Sequence, residues 1–282
     1  MEDLYVAMAV MGLISGLLGW AASRLPRALG GQAPMLALAV CVLGMFYFLL
    51  YGNGQLPWAR LIPSSAAIIY TNLASPLAAL AAGFAWRLPA IPRWRRAVLC
   101  GLLVVACGIS LSWPLLSIAL RPPPAGDDRW HADVARQSSW ATCSPAAAAT
   151  LLKHEGIEVS EREMIPLCLT DASGTPTLGL YRGIKLVAQR HRRPLEITPT
   201  QLDALIAQDD WPVLLAVELP YGAADPRYEQ QWGWIPGMGH SVVALGTTAD
   251  GRFAIGDPAV GLEWWSYDDL QLLWQGNGLR LP

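Results

Sequence analysis

The sequence predicts two unlike parts, an all-α transmembrane bundle of about four helices over residues 1–120 and an α+β domain over 129–282. Three observations predict this division. Apolar residues make up 53% of the 282 and charged residues 15%, and the apolar excess is concentrated before residue 120, in runs of about 17–25 residues that match a bilayer's thickness. The stretch Arg121-Pro-Pro-Pro-Ala-Gly-Asp-Asp128 then reads as a linker, stiffened by its prolines. Behind it, helical spacings come first and strand-like runs second, the order of an α+β domain.

The four apolar runs are Leu4–Ala22, Met35–Tyr51, Ile62–Phe84 and Ala97–Leu120. The first has no positive charge ahead of it and arginines behind it, so it reads as a span rather than a cleaved signal peptide. Short cytoplasmic loops retain arginine. Arg24 and Arg27 lie between the first two runs, Arg87, Arg93, Arg95 and Arg96 between the last two, and Arg60 alone between the second and third. Both basic loops are therefore expected in the cytoplasm. With four spans, the N-terminus and everything after Leu120 face outside, as in a bacterial inner-membrane protein with an extracytoplasmic domain. Gly12, Gly16 and Gly19 suit close packing of a helix pair, within the bundle or as a dimer seam. Asn72, Tyr70, Pro76 and Pro114 are the notable polar or helix-disturbing residues, and no Asp, Glu, Lys or Arg falls inside a run. An anchor in membrane lipid is expected, not a channel or proton relay.

In the second part, Gln137-Ser-Ser-Trp-Ala-Thr-Cys143-Ser-Pro-Ala-Ala-Ala-Ala-Thr-Leu-Leu152 is a polar loop running into an apolar helix, which Gly156 ends. Pro145 suits the first turn and the alanines the turns after it. A helix N-terminus favours thiolate over thiol, so Cys143 reads as a nucleophile. His240 opens a strand in Gly237-Met-Gly-His240-Ser-Val-Val-Ala-Leu-Gly246 and is the candidate base. A turn at Ala249-Asp-Gly251 leads to a second strand, Arg252–Asp257, whose final carboxylate is placed to orient the imidazole. Gln137 is the candidate oxyanion donor. Ser160-x-x-Glu163 is a capping-box pattern, Thr177–His191 and Pro199–Ala207 read as helices, Trp211–Leu219 and Leu262–Ser266 as strands, and Asp268–Trp274 as a helix.

Taken together, Gln-x5-Cys, Gly-His-Ser-Val-Val, Asp-Pro-x-x-Gly261 and Trp274-x-Gly276 resemble the bacteriocin-processing cysteine peptidases, over the C-terminal half only. The resemblance implies a papain-like fold, cleavage of leader peptides after a Gly-Gly pair, and Cys143, His240, Asp257 and Gln137 as the working residues. It also implies a peptide or protein substrate, membrane-associated or leader-bearing. The chain departs from the family at Ser144, where glycine usually follows the cysteine. It also shows no Gly-x-x-x-x-Gly-Lys-Ser/Thr loop, so the ATP-driven export of the transporter-linked members does not carry over.

Other readings stay open. An amine in place of water would make the same residues an acyltransferase or transpeptidase. A Cys143–Cys168 disulfide would make the domain a catalytically inactive peptide-binding module. His240 alone suits a strand end and Asp257-Pro258 alone a turn; their shared hairpin carries the inference. The remaining histidines show no metal-ligand spacing, so no metal or cofactor is expected. A net charge of -2 disfavours nucleic acid. In the loop Tyr221–Gly239, Trp232, Trp234, Met238 and Gly239 are the expected substrate contacts. Tryptophans such as Trp264 and Trp265 read equally as interfacial anchors. The oligomeric state is open.

Overall fold

The computed structural model describes residues 1–25, 32–89 and 91–282, and the chain separates into two compact units, Met1–Ala119 and Leu120–Pro282. The first unit holds α1 (Glu2–Arg24), α2 (Ala33–Tyr47, continued by a π-helical turn at Phe48–Gly52), α3 (Trp58–Leu61), α4 (Ala67–Tyr70), α5 (Ala74–Trp86) and α6 (Arg93–Leu120). Four stretches among the described residues are long and apolar enough to cross a membrane: Glu2–Arg24, Ala33–Gly52, Ala67–Trp86 and Arg93–Leu120. Arg27, expected in the first basic loop, lies outside the described residues.

Side-chain size decides which helix is central. Nine of the 13 residues of α5 are buried against five of 23 in α1, and those of α5 are mostly alanine. Small residues let α5 pack against both α1 and α2. A Cβ on Gly83 would collide with the Gly19 carbonyl and come within 2.7 Å of the Ala22 methyl, so α1 and α5 meet backbone to backbone there. Of the three glycines expected to form a seam, Gly19 makes this close approach, whereas Gly16 faces open space.

The third span begins later than the expected Ile62. Ile62 precedes Pro63 and takes φ -125, ψ 82, outside the helical region that a following proline disfavours. A second break follows α4 at Thr71–Leu73, and it has a partner in α6. Pro114 has no N–H to give the carbonyl four residues back, which belongs to Ser110. The buried Asn72 Nδ2 donates to that carbonyl at 2.7 Å, and Ser110 Oγ returns a bond to Asn72 Oδ1 at 3.1 Å. An apolar interior leaves no water to do this.

The second unit opens with a ribbon of β1 (Trp130–His131) and β2 (Val134–Ala135), followed by α7 (Cys143–His154), α8 (Glu161–Leu167) and α9 (Thr177–Arg190). Then come β3 (Glu196–Ile197), α10 (Leu202–Gln208), β4 (Val213–Glu218), α11 (Arg227–Gln230), β5 (Gly239–Thr247), β6 (Phe253–Asp257), β7 (Gly261–Trp265), α12 (Tyr267–Leu273) and β8 (Trp274–Arg280). The six larger-sheet strands are antiparallel in the order β3-β8-β4-β5-β6-β7. Helices first and an antiparallel sheet second make the α+β domain that the sequence predicts.

The alanine run of α7 follows from its surroundings. Every residue from Cys143 to Leu152 is buried, because α7 packs on β4, β5 and β6 and also on α8 and α9. A helix enclosed on all sides needs small side chains. Alternation along the strands sends Val213, Leu215, Val217, Val242, Ala244, Phe253 and Ile255 into a second core with Trp232, Trp234, Trp265 and Trp274. Each valine, leucine, isoleucine or phenylalanine among them contributes about 1.5–3 kcal/mol by leaving water. The linker residues lie along this unit: Arg121 pairs with Asp171 at 2.7 Å, and the Asp127 N–H donates to Glu161 Oε2 at 2.9 Å.

Candidate active site

Three elements converge on one point. Cys143 is the first residue of α7, His240 the second residue of β5, and Asp257 the last of β6. A 3-10 turn at Trp140–Thr142 leads into α7, held by a reciprocal capping box between Ser139 and Thr142. Because β5 and β6 are paired antiparallel neighbours, the strand start and the strand end lie side by side. His240 Nε2 and Asp257 Oδ1 are 2.8 Å apart, and the carboxylate is fully buried. The Ala259 N–H donates to the same oxygen at 2.7 Å, and Trp234 Nε1 donates to Oδ2 at 3.0 Å. With Nε2 turned to the carboxylate, Nδ1 is the ring nitrogen left over, and Cys143 and His240 are near enough for each to shift the proton affinity of the other.

The electrostatics of this pair oppose burial and overcome it. Burial alone would push the Cys143 thiol up, yet it lies below its ordinary value. The His240 hydrogen bond and charge lower it, helped by the Ser144 hydroxyl and a backbone bond from Ser241. Burial alone would push His240 down, but the Asp257 charge and hydrogen bond, then Cys143, carry it up to about 10. Thiolate and imidazolium stabilise one another. Cys168 has the reverse setting. It is fully buried against Gly183 of α9, and burial pushes its thiol up. All five cysteines are free thiols, so Cys143 and Cys168 are not bridged.

Gln137 lies next to the turn that follows Asp257, its N–H donating to the Pro258 carbonyl at 3.0 Å. Ser144 is accommodated by a bond between its hydroxyl and that of Ser241 at 2.8 Å, which ties the start of α7 to β5. Of the four expected substrate contacts, Trp232 and Trp234 are 8% and 7% exposed and sit in the core. Trp232 stacks on Trp265 with ring centroids 5.5 Å apart, and the Trp234 ring meets His240 edge-on at 4.8 Å. Trp234 thus meets the His–Asp pair from the core side and Trp232 packs behind it, while Met238 and Gly239 stay exposed. Trp264 is exposed and Trp265 fully buried, so Trp264 alone of that pair is available to an interface.

Sequence reasoning missed Trp234 as a partner of Asp257, and it missed Ser241. A serine directly after the candidate base was a weak signal for the second; the first had none. Among the described residues no three His, Cys, Asp or Glu side chains group as a metal site requires. A thiol of lowered proton affinity beside a carboxylate-oriented imidazole is an arrangement that can support nucleophilic attack by sulfur.

No protein family matches the sequence in a search of family descriptions. Over 47 residues the chain is 49% identical to an uncharacterized protein of Methanothermobacter marburgensis, a match covering 17% of this chain and 33% of that protein. The chain thus spans about a third of the length of the curated relative it matches. Among solved structures, 54% of the chain is similar to the peptidase domain of Streptococcus ComA, a bi-functional ABC transporter involved in a quorum sensing pathway. That match covers 98% of the domain at 22% identity and a TM-score of 0.42. The peptidase domain of Streptococcus mutans ComA is similar over 53% of this chain and 98% of its own, at 20% identity and a TM-score of 0.36. A double glycine motif protease from an AMS/PCAT transporter, in complex with the leader peptide, is similar over 57% and 96%, at 16% identity and a TM-score of 0.41.

Proposed function

We propose that the chain is a membrane-anchored cysteine peptidase that cleaves a peptide by a Cys-His-Asp mechanism. The observation that carries this reading is the convergence of Cys143 at a helix start with His240, whose Nε2 lies 2.8 Å from the buried carboxylate of Asp257. In this reading the Cys143 sulfur attacks the scissile carbonyl, and Gln137 with the Cys143 N–H steadies the oxygen as it takes up charge. His240 then gives its proton to the departing amine as the carbon–nitrogen bond breaks, leaving a thioester on Cys143. Water, deprotonated by the neutral imidazole, resolves the thioester and restores the pair. Asp257 holds the ring in the orientation these transfers need, and Met238 and Gly239 border the substrate's path.

The sequence resemblance makes a leader-bearing peptide with a Gly-Gly pair the first substrate to test. The apolar helices supply the anchor, and the arginine distribution places the peptidase domain outside the cytoplasm in this reading. Purified full-length protein in detergent, incubated with such peptides in 18O water, is expected to yield a new C-terminus carrying 18O. Cys143→Ala is expected to yield none. Products joined to an added amine without 18O would indicate acyl transfer, and an uncut panel with a wild-type chain that retains peptide would favour the binding module.

A further inference from the structure

Gln137 leaves the chain between two pinned peptide groups. Its own N–H is held by the Pro258 carbonyl at 3.0 Å. The next N–H, of Ser138, donates to Glu161 Oε1 at 2.7 Å, and the Ser138 hydroxyl donates to the same oxygen at 3.1 Å. Glu161 Oε2 accepts the Asp127 N–H at 2.9 Å. Glu161 is 1% exposed, at the first position of α8. A carboxylate in a first helical turn is ordinary, since the helix dipole favours it. Burying that carboxylate beneath three donors from two other segments is not required by the helix, whose end is already capped by Ser160 and Glu163. Only an acceptor-only group can serve donors at both oxygens.

We propose that Glu161 is a positioning residue. It fixes the peptide after Gln137 as Pro258 fixes the one before, and so sets the direction in which the Gln137 amide meets the oxygen that forms on a carbonyl attacked by Cys143. The linker N–H on the second oxygen places the strap of residues 121–128 and the Gln137 loop on one shared anchor. This inference rests on the peptidase reading and goes beyond it, because Glu161 touches neither Cys143 nor His240 in any bond described above.

Two reagents on the full chain in detergent separate the roles. Iodoacetamide alkylates Cys143 by displacement: a sulfur–carbon bond forms, iodide leaves, and no oxyanion develops. Acetyl-glycyl-glycinal adds reversibly: sulfur bonds to the aldehyde carbon, the carbonyl π pair moves to oxygen, and that oxygen, facing Gln137, takes a proton from the imidazolium. Glu161→Gln is nearly isosteric but turns an NH2 toward a donor. It is expected to weaken aldehyde binding about tenfold, the scale of one lost hydrogen bond to the adduct oxygen, with the iodoacetamide rate and its pH profile unchanged. In a Gln137→Ala background the same change is expected to cost nothing further. Parallel losses with both reagents, an unchanged aldehyde affinity, or effects that multiply in the double variant would each overturn the proposal. A wild-type Cys143 unreactive toward both reagents would instead overturn the peptidase reading, and this inference with it.

Discussion

Asp257 is a carboxylate without solvent exposure, and each of its oxygens is occupied: Oδ1 by His240 and the Ala259 N–H, Oδ2 by the Trp234 indole. A buried polar group deprived of its partner costs about 1–3 kcal/mol, and a charged one more. Trp234→Phe keeps a ring against His240 but removes the indole N–H together with part of the ring volume from a buried site, so it is expected to lower the unfolding temperature and, by loosening Asp257, to slow turnover. Thermal unfolding in detergent checks the first effect. A variant that melts like the wild type would show that the indole bond holds nothing. Cys143, His240 and Asp257 were legible because a cysteine before an alanine helix and a histidine-to-aspartate hairpin each leave a local pattern. The Trp234–Asp257 bond joins residues 23 apart, the first of them in a loop without periodicity, and no local pattern records it.

At the scale of elements, helices were legible where caps and apolar spacing agreed: the Ser160–Glu163 box and the Thr177 helix both appear in the structure. Strand β8 was not, although it lies between β3 and β4 and fastens the C-terminus into the sheet. Its Gly276-Asn-Gly278 core carries no strand signal, because glycine weakens strand propensity. The structure supplies the reason for one of these glycines. A Cβ on Gly278 would stand 2.5 Å from Thr198 Oγ1 and 3.2 Å from the Leu214 carbonyl, so β8 fits only without a side chain there. Gly278→Ala is expected to destabilise the protein by about 1–3 kcal/mol through overpacking, read as a lower unfolding temperature. No shift would mean that β8 yields more freely than its neighbours imply. In the first unit, Ile62 read as helical because apolar runs ignore proline's effect on the residue before it, and that effect delays the third span.

At the scale of the whole molecule, the chain joins four apolar helices to a domain in which a thiol lies below its ordinary 9.0 and a histidine is raised to about 10. The signs define a working window. In the proposed mechanism, Cys143 loses its nucleophilic thiolate as pH falls through its value, and His240 loses the proton meant for the leaving amine as pH rises through about 10. Between the two the ion pair persists. The measurement that tests this most directly is the rate of Cys143 alkylation in the full chain from acid to alkaline pH, without reductant, with modified cysteines mapped by mass spectrometry. The account predicts fast modification of Cys143 well below pH 9, slow modification of Cys168, and loss of the low-pH rate in His240→Ala. A Cys143 that reacts only in the ordinary thiol range, or one recovered in a disulfide with Cys168, would contradict it.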